Sequence, residues 1–243
     1  MSLIITREPF IVTAAFNRPE SMNAINFDAM EKLEELLGEI EIDATLRLFI
    51  LTGIGNSFVS GGDLKEFHKI KDAEGAKVMT RRMIQILSRI ENLPIWTLAA
   101  LNGHTYGGGW EIALAFDFRV ASSSAKIGFT QGKFYLPPGW GGISKLTDTV
   151  GQDRARYWLA SQKVISAYEA LEAGFIQDCF DEQVFREKVE KLKQQLTLND
   201  RAFISYLKNH APHSNNNNNM NAFSRFWESE EHLKRVDEFL KGK

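Results

Sequence analysis

Apolar strands and amphipathic helices alternate through the first part of the chain, and this alternation limits the fold more than any other sequence feature. Residues 3–17 contain β-branched segments that predict two strands joined by a turn, and apolar residues spaced by three and four predict a helix over 27–42. Short apolar runs at 47–52 and 95–103 predict buried strands, with a second helix over 75–90 between them. This strand–helix–strand order favours right-handed parallel crossovers and indicates an α/β fold.

The later part of the chain has a different pattern. Two more short strands are followed by predicted helices, so we expect the C-terminal third to be mostly helical. Residues 210–220 contain five consecutive asparagines, which are unsuited to a core and predict a flexible loop. Residues 223–240 carry apolar side chains at helical spacing and predict one helix that docks on another surface. We therefore predict a core over residues 1–190 and a C-terminal helical region over 191–243.

Charge and cysteine content exclude several classes of protein. A formal net charge of −2 provides no electrostatic reason to bind nucleic acid. Cys179 is the only cysteine, which excludes an internal disulfide and a thiolate zinc cage, and the histidines show no ligand spacing. No apolar run reaches the roughly 20 residues that a membrane span needs, and the N-terminus lacks a signal-peptide core. We expect a cytoplasmic protein with no metal, no redox cofactor, and neither nucleic acid nor membrane as its partner.

Two glycine turns carry the strongest chemical signal. They lie in SFVSGGDLKEF, which begins at Ser57, and in NGHTYGGGWEIAL, which begins at Asn102, each just after a predicted buried strand. Glycine permits positive φ and close backbone approach, and the N–H groups at a helix start are unpaired and partly positive. Two such turns facing one cavity would form an oxyanion hole. Each turn taken alone is better explained as a tight strand-to-helix connection, and it is the presence of both that favours the oxyanion hole.

Five stretches then occur in one order along the chain: FNRPESMNAIN, FVSGGDLKEF, ALNGHTYGGGWEIALAFDFRVASSSAKIGF, LPPGWGG and SAYEALEAGFIQD. In this order and spacing they resemble the crotonase superfamily, also called the enoyl-CoA hydratase/isomerase family, over nearly the whole chain. The resemblance implies a ClpP-like spiral of strand–strand–helix (ββα) units with a helical C-terminal trimerisation region. It also implies an enzyme of fatty acid metabolism that works as a homotrimer or a hexamer made of two trimers. Coenzyme A would be part of the acyl-CoA substrate, so no separate cofactor is expected.

The resemblance also assigns binding residues. The thioester carbonyl would accept hydrogen bonds from the N–H groups of Gly62 and Gly108. The adenine pocket would be formed by backbone at Met22–Ala24 and Asp63–Leu64. Phe239 and Lys243 of the C-terminal helix would close over the pantetheine or the phosphates.

The acid/base residues depart from the family pattern. The family's hydratases hold a water between two glutamates, and the first of these matches Glu111, whose alternative role is to complement a helix dipole. The second falls on Gln131, whose amide does not exchange a proton at ordinary pH. The loop position from which some isomerases take a carboxylate is occupied by Trp140. Half of the expected pair of carboxylates is therefore replaced.

A site with one carboxylate favours decarboxylation of a malonyl-type acyl-CoA, because loss of CO₂ generates the enolate without a base. The stretches GGGWE, DFR, AKIGF and WGG are also similar to those of ethylmalonyl-CoA decarboxylases, which makes an acyl-CoA lyase our first expectation. The alternatives are an enoyl-CoA hydratase or isomerase that uses Glu111 alone, and a non-catalytic acyl-CoA binder. An RNA-associated role has no support from charge or from a basic aromatic stripe.

Overall fold

The structure, a computed structural model, describes residues 2–209 and 216–242. The chain divides into two compact units, Met1–Ile204 and Ser205–Lys243. In chain order the strands are β1 (Leu3–Glu8), β2 (Ile11–Phe16), β3 (Leu48–Gly53), β4 (Ser57–Val59), β5 (Trp96–Leu101), β6 (His104–Tyr106), β7 (Phe118–Ser122), β8 (Lys126–Gly128), β9 (Val164–Ser166) and β10 (Asp178–Phe180).

The helices follow the strands closely. The α-helices are α1 (Phe27–Ile42), α2 (Leu64–Phe67), α3 (Ala73–Asn92), α4 (Gly108–Ala113), α5 (Gly142–Val150), α6 (Gln152–Ala160), α7 (Ala167–Glu172), α8 (Phe185–Leu196), α9 (Arg201–Asn209), α10 (Asn216–Trp227) and α11 (Glu230–Lys241). Two 3₁₀ turns, at Pro19–Ser21 and Gln131–Phe134, complete the regular structure of the described residues.

The predicted α/β class is confirmed by two sheets. The described residues form a six-stranded sheet in the order β1-β2-β3-β5-β7-β10 and a four-stranded sheet in the order β4-β6-β8-β9. From β2 to β10 the larger sheet is parallel, and β1 runs antiparallel at its edge. The pairs β3–β4, β5–β6 and β7–β8 each place their first strand in the larger sheet and their second in the smaller one. Since a helix follows each pair, the chain repeats the ββα unit expected from the resemblance.

The predicted strands and helices of the first part of the chain are confirmed. The helix predicted over 27–42 has the same limits as α1, and its buried face includes Leu33, Leu37 and Ile40. Asn26 caps α1 because its side chain accepts a hydrogen bond from the Ala29 N–H at 2.9 Å. The three-residue strands β4 and β6 lie in segments predicted as turns, because alternation is not visible over three residues.

The division into compact units falls later than the expected boundary at residue 190. That residue lies inside α8, whose Phe185 and Val189 pack in one apolar cluster with Ile50 and Leu98 of the large sheet. Burial of this face ties α8 to the sheet. The first compact unit therefore continues to Ile204.

The C-terminal region differs from two predictions. Part of the asparagine run predicted as a flexible loop is helical, since α10 begins at Asn216, while residues 210–215 lie outside the described residues. Within this unit the Tyr206 hydroxyl donates to Asn219 Oδ1 at 3.3 Å and the Tyr206 ring lies 5.5 Å from that of Phe226. Such contacts outweigh the modest helix propensity of asparagine.

The single helix predicted over residues 223–240 is two helices. Ser229 separates them in extended conformation, and its hydroxyl accepts a hydrogen bond from the His232 N–H at 3.2 Å. A serine that caps a new helix start explains the break, which apolar spacing alone does not reveal.

Candidate active site

The two glycine turns lie side by side. Strands β4 and β6 are parallel neighbours, so the turns that follow them leave the small sheet at the same edge. Gly61 and Gly107 have φ values of +110° and +51°, which favour glycine. A Cβ built on Gly61 would lie 3.2 Å from the backbone nitrogen of Gly108. The predicted juxtaposition of the two turns is therefore present.

Two backbone donors remain unpaired at this edge. Around the first turn, the Ile25 N–H donates to the Gly61 carbonyl at 2.8 Å, and the Asp63 N–H donates to the Ile25 carbonyl at 2.8 Å. These two bonds use the residues on either side of Gly62 and leave the Gly62 N–H without an acceptor among the described residues. Around the second, Gly108 is the first residue of α4 and has no earlier turn to donate to. Within the described part of the chain, neither the Gly62 N–H nor the Gly108 N–H has a hydrogen-bond acceptor. Both are available to an oxyanion.

Trp140 lies against both glycines. A Cβ built on Gly108 would lie 2.0 Å from Cζ3 of the Trp140 ring, and one built on Gly62 would lie 3.6 Å from its Cζ2. The Trp140 residue is only 7% exposed. The benzo edge of this ring therefore borders the space next to the two unpaired donors and limits what can fit there.

Glu111 is buried and strongly hydrogen-bonded. It is 2% exposed, and its Oε2 accepts from the backbone N–H groups of Trp140 and Gly142 at 2.9 and 3.0 Å. Gln131 Nε2 donates to Glu111 Oε1 at 3.1 Å. Gly142 begins α5, so the carboxylate lies at the N-terminus of a helix other than its own. Glu111 also lies in the first turn of its own helix, α4, which is the position on which its alternative role of complementing a helix dipole was based.

Burial and hydrogen bonding act on Glu111 in opposite directions. Burial raises the pKa of the Glu111 carboxyl above its ordinary value, and hydrogen bonds donated by Gly142, Trp140 and Gln131 lower the pKa and partly offset this rise. A buried carboxyl with a raised pKa is a usable general acid or base.

Gln131 has a second partner on the opposite side. The indole Nε1–H of Trp110 donates to Gln131 Oε1 at 3.1 Å. Gln131 therefore connects Trp110 to Glu111 through its two amide atoms. The sequence prediction brought Glu111, Gln131 and Trp140 to one site, and the structure places them in contact.

The predicted adenine-binding segments are adjacent. Arg18 donates to the Ala24 carbonyl at 2.6 Å and to Asp63 Oδ2 at 2.8 Å, which holds the two segments together. Asp63 also caps α2 through the Lys65 N–H, and Leu64 is half exposed. The Met22 carbonyl accepts from Ser60 N–H at 3.1 Å. Their predicted contact with adenine remains a prediction.

Two further residues, Phe239 and Lys243, were predicted to contact coenzyme A from the C-terminal helix. Phe239 lies on α11 and is 64% exposed, and Lys243 lies outside the described residues. Their predicted closure over coenzyme A remains a prediction.

Several contributing residues were missed from the sequence. Trp110 donates a hydrogen bond to Gln131, and Gly142 donates one to Glu111. Phe67 packs against Gly62, since a Cβ built on Gly62 would lie 2.6 Å from the Phe67 ring. Arg18 had only its place inside the FNRPESMNAIN stretch as a signal. None has a spacing that marks it in the sequence, because each acts through a contact between separate loops.

Neither a metal-binding cluster nor a membrane-spanning helix occurs in the described residues. No three His, Cys, Asp or Glu side chains within residues 2–209 and 216–242 are grouped so that they would hold a metal ion. No helix in the same ranges is long and apolar enough to cross a membrane.

Comparisons with known proteins agree with the geometry. The family model described as enoyl-CoA hydratase/isomerase matches residues 7–242. The chain is 31% identical over 201 residues to the short-chain-enoyl-CoA hydratase of Clostridium acetobutylicum, covering 82% of this chain and 76% of that protein. It is 30% identical over 194 residues to the crotonyl-CoA hydratase of Syntrophomonas wolfei, covering 79% and 74%. The crystal structure of an enoyl-CoA hydratase from Bacillus anthracis superposes with a TM-score of 0.90 at 26% identity, covering 100% of this chain and 97% of that one.

Proposed function

The chain belongs to the enoyl-CoA hydratase/isomerase family, and we propose that it adds water to a short-chain enoyl-CoA with Glu111 as the acid/base group. The observation that carries this proposal is a buried carboxylate, Glu111, on the helix that begins with the unpaired Gly108 N–H, next to the turn with the unpaired Gly62 N–H. An oxyanion hole and one positioned carboxylate are the groups that the reaction needs.

Hydration has better support than the decarboxylation that was our first expectation. The two relatives described above at 30% identity or more are both named as hydratases. The expected likeness to ethylmalonyl-CoA decarboxylases has no counterpart among the relatives described here. The alternative of a hydratase that uses Glu111 without a second glutamate is therefore the function we propose.

The proposed chemistry starts at the thioester carbonyl. Its oxygen accepts hydrogen bonds from the Gly62 and Gly108 N–H groups, which stabilise the negative charge that develops when the β-carbon is attacked. Glu111 takes a proton from a water as the water oxygen bonds to the β-carbon. The same carboxyl then returns that proton to the α-carbon, so H and OH are added across the double bond and Glu111 ends ionised.

The position of Trp140 is evidence that the substrate has a short acyl chain. Its ring borders the space beside both donors and is almost fully buried, so the room next to the reacting carbons is restricted. A bulky acyl group would have to displace a packed aromatic side chain, which is costly.

Mass spectrometric turnover of the purified protein tests the proposal. We expect crotonyl-CoA to gain the mass of one water while ethylmalonyl-CoA and methylmalonyl-CoA stay intact. Loss of CO₂ from either malonyl thioester, with crotonyl-CoA unchanged, would instead establish the decarboxylase. Binding of crotonyl-CoA without any turnover would establish the non-catalytic binder.

The pH dependence of hydration should follow the ionisation of Glu111. Because burial raises the pKa of Glu111 and the ionised form takes the proton from water, kcat should fall on acidification at a higher pH than an ordinary glutamate would cause. The measurement is kcat for crotonyl-CoA across the acidic range, with circular dichroism to show that the protein stays folded. A kcat that stays constant down to the usual range of glutamate would contradict this assignment.

We also propose assembly into homotrimers or pairs of trimers. Large apolar side chains of α10 and α11 are exposed in the single chain, among them Phe223, Trp227 and Leu233. Apolar side chains grouped on neighbouring helices are typical of subunit contacts. Sedimentation equilibrium would give the mass of the assembly, and a monomer at micromolar concentration would contradict the proposal.

A further inference from the structure

The amide of Gln131 has one possible orientation. An indole N–H donates and cannot accept, so the Gln131 atom that faces Trp110 Nε1 at 3.1 Å has to be the carbonyl oxygen. The amide nitrogen then faces Glu111 Oε1 at 3.1 Å. Reversing the amide would place two donors against each other at Trp110 and two acceptors against each other at Glu111.

Packing holds the Trp110 indole, which donates to Gln131, in a fixed position. Trp110 is fully buried, and its ring centroid lies 5.2 Å from that of Phe129. Phe129 in turn packs on Trp158, with ring centroids 4.9 Å apart. A side chain packed in this way keeps one rotamer, so the indole N–H stays pointed at Gln131.

The two oxygens of Glu111 are left unequal. Oε2 accepts two backbone hydrogen bonds, from Trp140 and Gly142, which occupy both of its lone pairs. Oε1 accepts one hydrogen bond, from Gln131, and keeps one lone pair. Oε1 is therefore the atom that can take a proton without losing a hydrogen bond. The second amide hydrogen of Gln131 has no acceptor among the described residues.

We propose that Trp110 is a positioning residue that, through Gln131, selects Oε1 of Glu111 as the proton-exchanging atom and leaves Gln131 only an N–H to offer a bound water. This inference rests on the proposed hydration. A water that donates to Glu111 Oε1 and accepts from the free Gln131 N–H is oriented by two groups, although only one of them exchanges a proton. Gln131 thus orients the water as a second glutamate would, but exchanges no proton with it.

The variant Trp110→Phe tests the proposal, because it removes the indole N–H and keeps an aromatic ring. We expect kcat for hydration to fall about three- to tenfold, the usual effect of one buried hydrogen bond, with KM little changed. The acid limb of kcat should also move to higher pH, because a Gln131 that is free to turn no longer donates steadily to Glu111, and loss of a donor raises the pKa of a carboxyl.

Trp158→Phe is the matched control. It removes the indole of the other tryptophan that packs on Phe129, and no hydrogen bond joins Trp158 to Gln131 among the described residues. Both variants leave a similar cavity, so their melting temperatures should fall alike, while only Trp110→Phe should change kcat and its pH dependence. Equal kinetic effects in the two variants would overturn the proposal.

A double-mutant cycle provides a second test. In a Gln131→Leu background the indole has no amide to orient, so adding Trp110→Phe should have no further effect on kcat. Additive losses would show that Trp110 acts on the site by another route and would overturn the proposal.

An NMR experiment separates this inference from the proposed function. The chain has five tryptophans, and the indole N–H signal of Trp110 is assigned as the one missing in Trp110→Phe. That signal should shift in Gln131→Leu and exchange slowly in the parent protein, whether or not crotonyl-CoA is hydrated. An inactive parent protein would contradict the proposed hydration, whereas an indole signal unchanged in Gln131→Leu would contradict the Trp110 contact.

Discussion

Replacing Glu111 with glutamine is expected to lower kcat for crotonyl-CoA hydration by about 10²- to 10⁴-fold, the range of a lost general acid/base. The amide cannot take a proton from water or return one to the α-carbon. KM should change little, because in the proposed mechanism the carbonyl oxygen accepts from the Gly62 and Gly108 N–H groups, which the substitution leaves in place. Initial rates from the loss of enoyl thioester absorbance measure both constants.

The same substitution also disturbs packing, so a control is needed. In Glu111→Gln the new amide nitrogen would face either the Gln131 nitrogen or the backbone N–H groups of Trp140 and Gly142, all of which are donors. Asp117→Asn is the matched control, because Asp117 accepts from the Thr97 N–H and hydroxyl at 2.9 and 2.8 Å, away from the site. If Glu111→Gln kept more than about a tenth of the parent kcat, Glu111 would not be the acid/base group.

The second large effect is expected at Gly108. In Gly108→Ala the added Cβ would lie 2.0 Å from Cζ3 of the Trp140 ring, so the turn or the ring has to move. Movement of the turn displaces the N–H that we propose as an oxyanion donor, and loss of one such donor lowers kcat by about 10²- to 10³-fold. Gly38→Ala is a control in α1, where an added Cβ meets only Arg89 Nη2 at 3.8 Å. It should retain the parent kcat.

A Trp140→Ala background distinguishes the lost donor from simple crowding. Removing the ring makes room for a Cβ at position 108, so Gly108→Ala and Gly108→Pro can be compared there without the clash against Trp140. Proline is accepted at the first position of a helix, which Gly108 occupies in α4, and only the alanine variant keeps the N–H. We expect kcat of the proline variant to be lower by about 10²-fold or more. Equal kcat values would mean that the Gly108 N–H does not stabilise the transition state.

Much of the fold followed from local pattern. Apolar residues repeat along α1 with a period that only a helix can bury on one face, and β3 and β5 are short apolar runs between turn residues. The asparagine run was misjudged because composition describes a segment without its neighbours. Tyr206 and Phe226 supply contacts to α10 that propensity does not include.

The candidate site was only partly predictable. Glycine turns and the glutamate after them are marked by residue type and order, which is why Gly62, Gly108 and Glu111 could be named from the sequence. The resemblance also named Gln131 and Trp140 but assigned no contact between them and Glu111. Trp110 had no signal, since a tryptophan within an apolar helix is expected to be core.

By itself the sequence determined the order of strands and helices, the two glycine turns and the single carboxylate that follows the second of them. The tertiary structure decided which atoms meet: the indole of Trp110 on the Gln131 carbonyl, the Gln131 nitrogen on Glu111, and the N-terminus of α5 on the same carboxylate. The physical reason is the range of the forces involved. Periodicity and turn chemistry act over a few neighbouring residues, whereas these hydrogen bonds join positions 20 to 31 residues apart and depend on how separate loops pack.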